Sequence, residues 1–184
     1  MTPSDDLRAE AARRRAVERS GPPQRDTVGP GEESVWDYPR PPRIDPVATI
    51  LRVELADQVV ARTTAGYRVL ETASPPTYYF PPTDVRGAFL EPSGRRTVCE
   101  WKGQARYWSV RIGDRKVENA AWSYPEPWAG FEALRDYVSF FAGKMDACWV
   151  GEHRVVPQPG DFYGGWITPN IKGPFKGDPG TMGW

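Results

Sequence analysis

Between Val47 and Val156 apolar side chains take alternate positions in short segments, and the segments are separated by turns of two or three residues. Strands with one buried face satisfy such a pattern, because successive side chains of a strand point to opposite sides. "TILRVEL" and "QVVAR" flank Ala56-Asp57-Gln58 as a hairpin. "GYRVLET" and "PTYYFP" read as further strands separated by Ser74-Pro75-Pro76. "PTDVRGAF" offers Thr83 as the cap of a single helical turn, and "EPSGRR" reads as a turn. "TVCEW" and "QARYWSVRI" make a second hairpin about Lys102-Gly103, Gly113-Asp114 reverses the chain into "KVENAAW", and "DACWV" is a later strand. One stretch departs from this period. Phe131, Leu134, Val138 and Phe141 fall on one helical face with Glu132, Arg135 and Asp136 on the other, so a principal helix is expected over 131–142, stopped by Gly143. Trp122-Ser123-Tyr124-Pro125 and Trp128 would pin the loop that enters it.

The ends are built differently. Residues 1–31 form a charged segment with a short helix expected over 4–19, capped by Ser4, and a flexible linker after it. Residues 32–46 are a proline-stiffened strap that displays Trp36 and Tyr38. Residues 157–184 are rich in glycine and proline but also carry Phe162, Tyr163, Trp166, Phe175 and Trp184, so they read as an ordered wrap around the domain at 47–156. The Lys-Gly-Pro-Phe-Lys-Gly run in this wrap lacks the Gly-Lys-Ser/Thr of a phosphate-binding loop.

Composition narrows the function classes. With 24 basic and 24 acidic side chains there is no net field to gather a polyanion, so no nucleic-acid partner is expected. Two cysteines, far apart, and one histidine are too few for a structural zinc site, and no metal or cofactor is expected. No apolar run approaches the ~20 residues of a membrane span, and the N-terminal stretch lacks the apolar core of a secretory leader. These features point to a cytoplasmic protein with both thiols reduced and no membrane partner.

The order of "RVLET", "YYFPPTDV", "TVCEWKGQARYWSV", "AAWSYPEP" and "YVSFFAGKMDACWV" resembles the bacterial domain-of-unknown-function family 427. "ESVWDYPRPPR" and "FYGGWITPNIKGPFKGDPGTMGW" resemble its actinobacterial long form, so the likeness covers roughly residues 32–184. The resemblance implies a mainly β fold with one principal helix: two antiparallel sheets leaning together in a β-tent or Mss4-like architecture, with the proline- and glycine-rich ends as straps. Many relatives within that architecture hold zinc through paired Cys-x-x-Cys motifs; this chain has none, so zinc does not carry over. The family has also borne a nucleotidyltransferase-like label, but no Gly-Ser followed by spaced aspartates is present to hold magnesium. The resemblance supplies a fold and no activity.

Candidate site residues come from the strand faces. Alternation places Thr97, Cys99 and Trp101 on one side and Val98, Glu100 and Lys102 on the other, which makes Cys99 a packing thiol beside a tryptophan. In the next strand Trp108, Val110 and Ile112 form the apolar face, and Tyr107, Ser109 and Arg111 the polar one. The only histidine, His153, has no sequence reason to lie near Cys99 as a catalytic base. Lys102 stands at the rim of the hairpin, where it could hold an anion or act as an amine. Glu71 shares a face with Tyr67 and Val69, with Arg68 or Arg86 as expected ion-pair partners. Glu71 and Lys102 are the candidate catalytic groups; Glu71, Tyr79, Trp101, Lys102 and Tyr107 are the candidate ligand-binding set, with Tyr78 and Trp108 nearby. The expected function is a small-molecule site between the sheets, with no reaction class assigned. The alternative is a non-catalytic interaction module that engages a protein through the N-terminal arm and the Trp36 strap.

Overall fold

The structure, a computed structural model, describes every residue except 1, 2, 23 and 161, and the side chains of residues 3 and 4 also lie outside the description, including the Ser4 cap. The chain is mainly β. Among the described residues it has one α-helix, α1 (Pro3–Arg15), two pairs of two-residue strands (Glu33–Ser34 with Ile171–Lys172, parallel, and Val156–Pro157 with Trp166–Ile167, antiparallel), and eleven further strands in three antiparallel sheets. These strands are β1 (Arg43–Val47), β2 (Leu51–Leu55), β3 (Gln58–Thr63), β4 (Gly66–Glu71), β5 (Ser74–Tyr79), β6 (Leu90–Cys99), β7 (Gly103–Ile112), β8 (Arg115–Ser123), β9 (Val138–Phe140), β10 (Ala147–Val150) and β11 (His153–Arg154). The sheets run β1-β4-β5, β9-β8-β7-β6 and β11-β10-β2-β3. Two sheets were expected. The first two meet edge to edge where Phe80 and Val138 exchange backbone hydrogen bonds of 2.8 and 2.9 Å.

Ala56 and Asp57 take positive φ and close the β2–β3 hairpin. The β6–β7 and β7–β8 turns also fall where the sequence places them. Four expectations are corrected. Residues 131–142 are not a helix: a 3-10 turn at Glu132–Leu134 leads through Asp136 (φ 61°) into β9, and a second 3-10 turn, Ala142–Lys144, contains Gly143. Val138, Ser139 and Phe140 are all buried, and a strand covered on both faces imitates a helical apolar pattern over so short a run. Trp122 and Ser123 consequently belong to β8 and do not lead into a helix.

The β4–β5 reversal occurs at Thr72-Ala73 (Ala73 φ 71°), and Ser74-Pro75-Pro76 run inside β5, an edge strand that tolerates missing N–H donors. "EPSGRR" lies inside β6, where a bulge between Pro92 and Arg96 absorbs the extra residues. Thr83 sits within a 3-10 turn, Pro82–Asp84, that Pro81 precedes and no side chain caps.

Apolar residues of β2, β3, β7, β8 and β9 pack with Phe80 and Trp166 into one core. A second core joins Val69 and Tyr79 to Ala105, Tyr107, Trp122, Tyr124, Phe131 and Leu134. The strap packs as a third: Val35, Trp36 and Tyr38 bury against Leu70, Ala73 and Ile171. The last four strap residues, Arg43 to Pro46, are already paired with β4, so the sheet starts earlier than residue 47.

Both chain ends lie on this frame. Helix α1 has no apolar face, but acidic Asp5 and Asp6 open it and Arg13 to Arg15 close it, as the helix dipole favours. Its guanidinium groups dock it: Arg8 lies over Trp128 at 5.8 Å and Arg15 over Trp101 at 5.5 Å. Gln158, almost fully buried, clamps the tail by donating to the Lys176 carbonyl at 2.6 Å and accepting from the Gly165 amide at 3.0 Å. Gly164 rides so close on Trp122 that a Cβ there would lie 2.2 Å from the indole.

Candidate functional site

A cavity of about 440 Å³ opens between the β4–β5 face and the closed end of the β6–β7 hairpin. Val69, Glu71, Thr77 and Tyr79 line one wall, and Thr97, Cys99, Trp101, Lys102 and Tyr107 the other. Trp122, Tyr124 and Phe141 form the floor, with Trp122 and Phe141 ring centroids 4.5 Å apart. Arg14, Val17 and Arg19 cover it from the N-terminal side, and Phe162, Tyr163, Lys176 and Met182 from the tail. Val17, Phe162 and Met182 are exposed, so apolar surface rings the mouth.

Lys102 is held by local geometry. The turn Glu100-Trp101-Lys102 ends at Gly103, whose φ of 96° is a left-handed conformation that other residues adopt only under strain. A Cβ at Gly103 would also meet Trp128 at 2.9 Å, and the Trp128 amide donates to the Lys102 carbonyl at 3.1 Å. The side chain turns inward and only 7 % of the residue is exposed, so Lys102 is not at a surface rim. It makes no ion pair among the described residues; its neighbours are the Cys99 thiol, Tyr79, the Tyr124 ring at 5.9 Å and, farther off, Glu71. Desolvation pulls its pKa down, but Cys99, Tyr79 and Glu71 outweigh this and raise it above the ordinary lysine value. Lys102 is therefore a buried cation at neutral pH.

The phenols around it are neutral. Burial raises the pKa of both Tyr79 and Tyr124, the latter strongly. Tyr79 accepts from the Trp122 indole N–H at 3.3 Å, and the Tyr107 and Thr97 hydroxyls are 3.0 Å apart. Tyr107 belongs to the buried face, not the polar one: Ala105, Tyr107 and Ser109 point inward, and a bulge between Trp108 and Val110 lets Val110 bury as well.

Glu71 lies on the same cavity, past a bulge that follows Val69, and pairs with Arg40 at 3.5 Å. Arg68 instead holds Glu33 at 2.9 Å, and Arg86 reaches Gln58 at 3.2 Å, so neither expected partner serves. Glu100 pairs with Arg19. Arg19, Arg40 and Lys176 converge on the Trp184 main-chain oxygen at 3.5, 3.4 and 2.9 Å. Burial, with Arg19 and Arg40 beside it, lowers the pKa of Lys176. Cys99 is half-buried and packs with Trp101 against the second core, and it also faces the cavity with Lys102, which was expected on the opposite side. The alternation rule ends with β6, and the turn after it swings Lys102 back to the Cys99 side.

The five residues of the expected ligand set, Glu71, Tyr79, Trp101, Lys102 and Tyr107, thus border one space. The sequence reading missed Arg19, Arg40, Tyr124 and Lys176. Tyr124 carried a signal, as an aromatic one strand over from Tyr107; the cations come from the two ends, and no local pattern brings them here. His153, on β11, is exposed and does not line the cavity. Among the described residues no three His, Cys, Asp or Glu side chains are grouped to hold a metal ion, and no helix is long and apolar enough to cross a membrane.

A mainly β domain with an aromatic-floored cavity around a buried lysine defines the class. Residues 43–151 match the family described as Domain of unknown function (DUF427), and the chain belongs to that family. No curated protein matches it. The matched region contains Glu71, Cys99, Lys102 and Tyr124, while Arg19, Arg40, Lys176 and the tail lie outside it.

Proposed function

We propose that this protein binds a small organic anion with a flat apolar body in the cavity between β4–β5 and the β6–β7 hairpin. The carrying observation is Lys102, a residue only 7 % exposed, which borders an open cavity without a carboxylate partner among the described residues. Burying a cation is costly unless a counter-charge is supplied, and a bound anion supplies it. The remaining lining points the same way. Of the four lining cations, Arg14 pairs with Glu10 and Arg19 with Glu100, while Lys102 and Lys176 have no side-chain carboxylate partner among the described residues. Indole and phenyl rings on the floor fit a planar body.

The alternative, docking of a protein on the strap, has less support, because Trp36 and Tyr38 are 8 % and 7 % exposed and packed within the chain. Calorimetric titration with 2-naphthoate and its neutral isostere 2-naphthamide tests the proposal. The carboxylate should bind tighter by about tenfold, roughly 1.4 kcal/mol, and Lys102→Met should erase the difference. Equal affinity of the two compounds for the unmodified protein overturns it.

A further inference from the structure

We propose that Cys99 is a modification site at which the cavity takes up a small thiol bearing carboxylates, as a mixed disulfide. The proposal shares the cavity with the anion-binding reading and does not depend on it. The two cysteines of the chain occupy opposite environments. Cys148 is 2 % exposed in the apolar core between the sheets, where burial pushes its thiol pKa up, with Glu54 adding to the effect. Cys99 ends β6, is half-buried, and opens on a cavity large enough for a second molecule.

The Lys102 ammonium and the Tyr124 hydroxyl border the cavity beside the Cys99 sulfur and interact with it electrostatically, and both residues are more than nine-tenths buried. A cation and a hydroxyl donor beside a partly exposed thiol are the surroundings in which cysteines react. The other groups that face this corner are the hydroxyls of Tyr79 and Tyr107; the nearby carboxylates, Glu71 and Glu100, are held by Arg40 and Arg19.

The arrangement suits disulfide exchange better than acyl transfer. Acyl transfer needs a separate donor for an oxyanion and a proton for the leaving group, whereas exchange needs a thiolate and room in line with the disulfide. The Cys99 proton passes to solvent. Its sulfur attacks one sulfur of a small disulfide R–S–S–R, the new Cys99–S–S–R bond forms as the old one breaks, and R–S⁻ leaves. Cys99 is oxidised and half of the small disulfide is reduced, so no other oxidant is required. Cys148 is packed in a different core and cannot resolve the adduct, which persists until a second small thiol removes it. The cations Arg14, Arg19 and Lys176 at the mouth select a carboxylate-bearing R group over a cationic one.

The test uses the full chain, reduced and then treated at neutral pH with glutathione disulfide or with cystamine, followed by intact and peptide mass spectrometry. Cys99 should take one glutathione, about tenfold faster than a thiol of the urea-unfolded chain, while Cys148 stays free. Relative to the unfolded chain, glutathione disulfide should outpace cystamine. Lys102→Met should slow the reaction by about tenfold, and Tyr124→Phe, which keeps the ring and removes only the hydroxyl, by a smaller factor. Where circular dichroism shows Lys102→Met misfolded, Tyr124→Phe decides by the same criterion. Modification no faster than in the unfolded chain, or an unchanged rate in the folded variants, overturns the proposal. The two readings fail separately: equal affinity of the unmodified protein for 2-naphthoate and 2-naphthamide defeats anion binding alone, and a slow Cys99 defeats this one alone.

Discussion

Replacing Trp166 by alanine tests whether the glycine- and proline-rich tail is part of the core or lies upon it. Trp166 is fully buried, with its ring 5.2 Å from Tyr78 and 6.0 Å from Phe80, and its indole N–H donates to the Phe140 carbonyl at 2.9 Å. Truncating a buried tryptophan costs about 3–5 kcal/mol in lost transfer energy and cavity formation. Leaving the Phe140 carbonyl without its donor adds to this, at about 1–3 kcal/mol for a buried unsatisfied group. The two overlap, so at least about 4 kcal/mol is expected, a fall in Tm of roughly 8–16 °C for a chain of this size. Urea unfolding followed by far-ultraviolet circular dichroism reads the loss without relying on tryptophan fluorescence. The midpoint should move and the slope should not. A loss under about 1.5 kcal/mol refutes the reasoning, because the tail would then be a dispensable cover.

Three further outcomes follow from the same contacts. Gly103→Ala places a side chain at φ 96° and 2.9 Å from Trp128, and should cost about 1–3 kcal/mol in urea unfolding while loosening the Lys102 turn. Removal of residues 1–15 should leave Tm within about 3 °C, since α1 docks through stacked guanidinium groups worth little each when exposed; removal through residue 30 should cost more, because Asp26 exchanges hydrogen bonds with Gly173. Asp146 accepts from Arg115 and from the Ala56 amide, which hold its pKa below the ordinary aspartate value. Its stabilisation is complete above about pH 3.9 and is lost as pH falls through the lowered folded value, so Asp146→Asn should narrow its stability gap to the unmodified protein on acidification.

The strand segments were legible because alternation and turn chemistry are local. Ala56-Asp57 and Gly113-Asp114 needed only their neighbours to be read as reversals. The false helix at 131–142 shows where periodicity runs out: Val138 to Phe140 is buried on both faces, and Asp136 breaks the helix with a left-handed backbone that its apolar neighbours conceal. The candidate ligand residues could be named because aromatic and charged side chains crowd one hairpin. Their relation to Cys99 could not. It depends on a turn after β6 in which alternation no longer applies, and on Gly103 to swing Lys102 inward. The partners of Glu71 and Glu100 come from Arg40 and Arg19, outside the strand domain, where only the folded path of the ends brings them into range.

The central claim, that Lys102 and its aromatic surroundings form an anion site, is tested most directly by amide chemical-shift mapping with 2-naphthoate on the isotopically labelled full chain. The account expects saturable shifts at Thr97 to Gly103 on the hairpin and at Glu71 to Tyr79 across the cavity, weak or absent with 2-naphthamide and lost in Lys102→Met. Shifts scattered over the β2–β3–β10 sheet, or identical responses to the acid and the amide, contradict it.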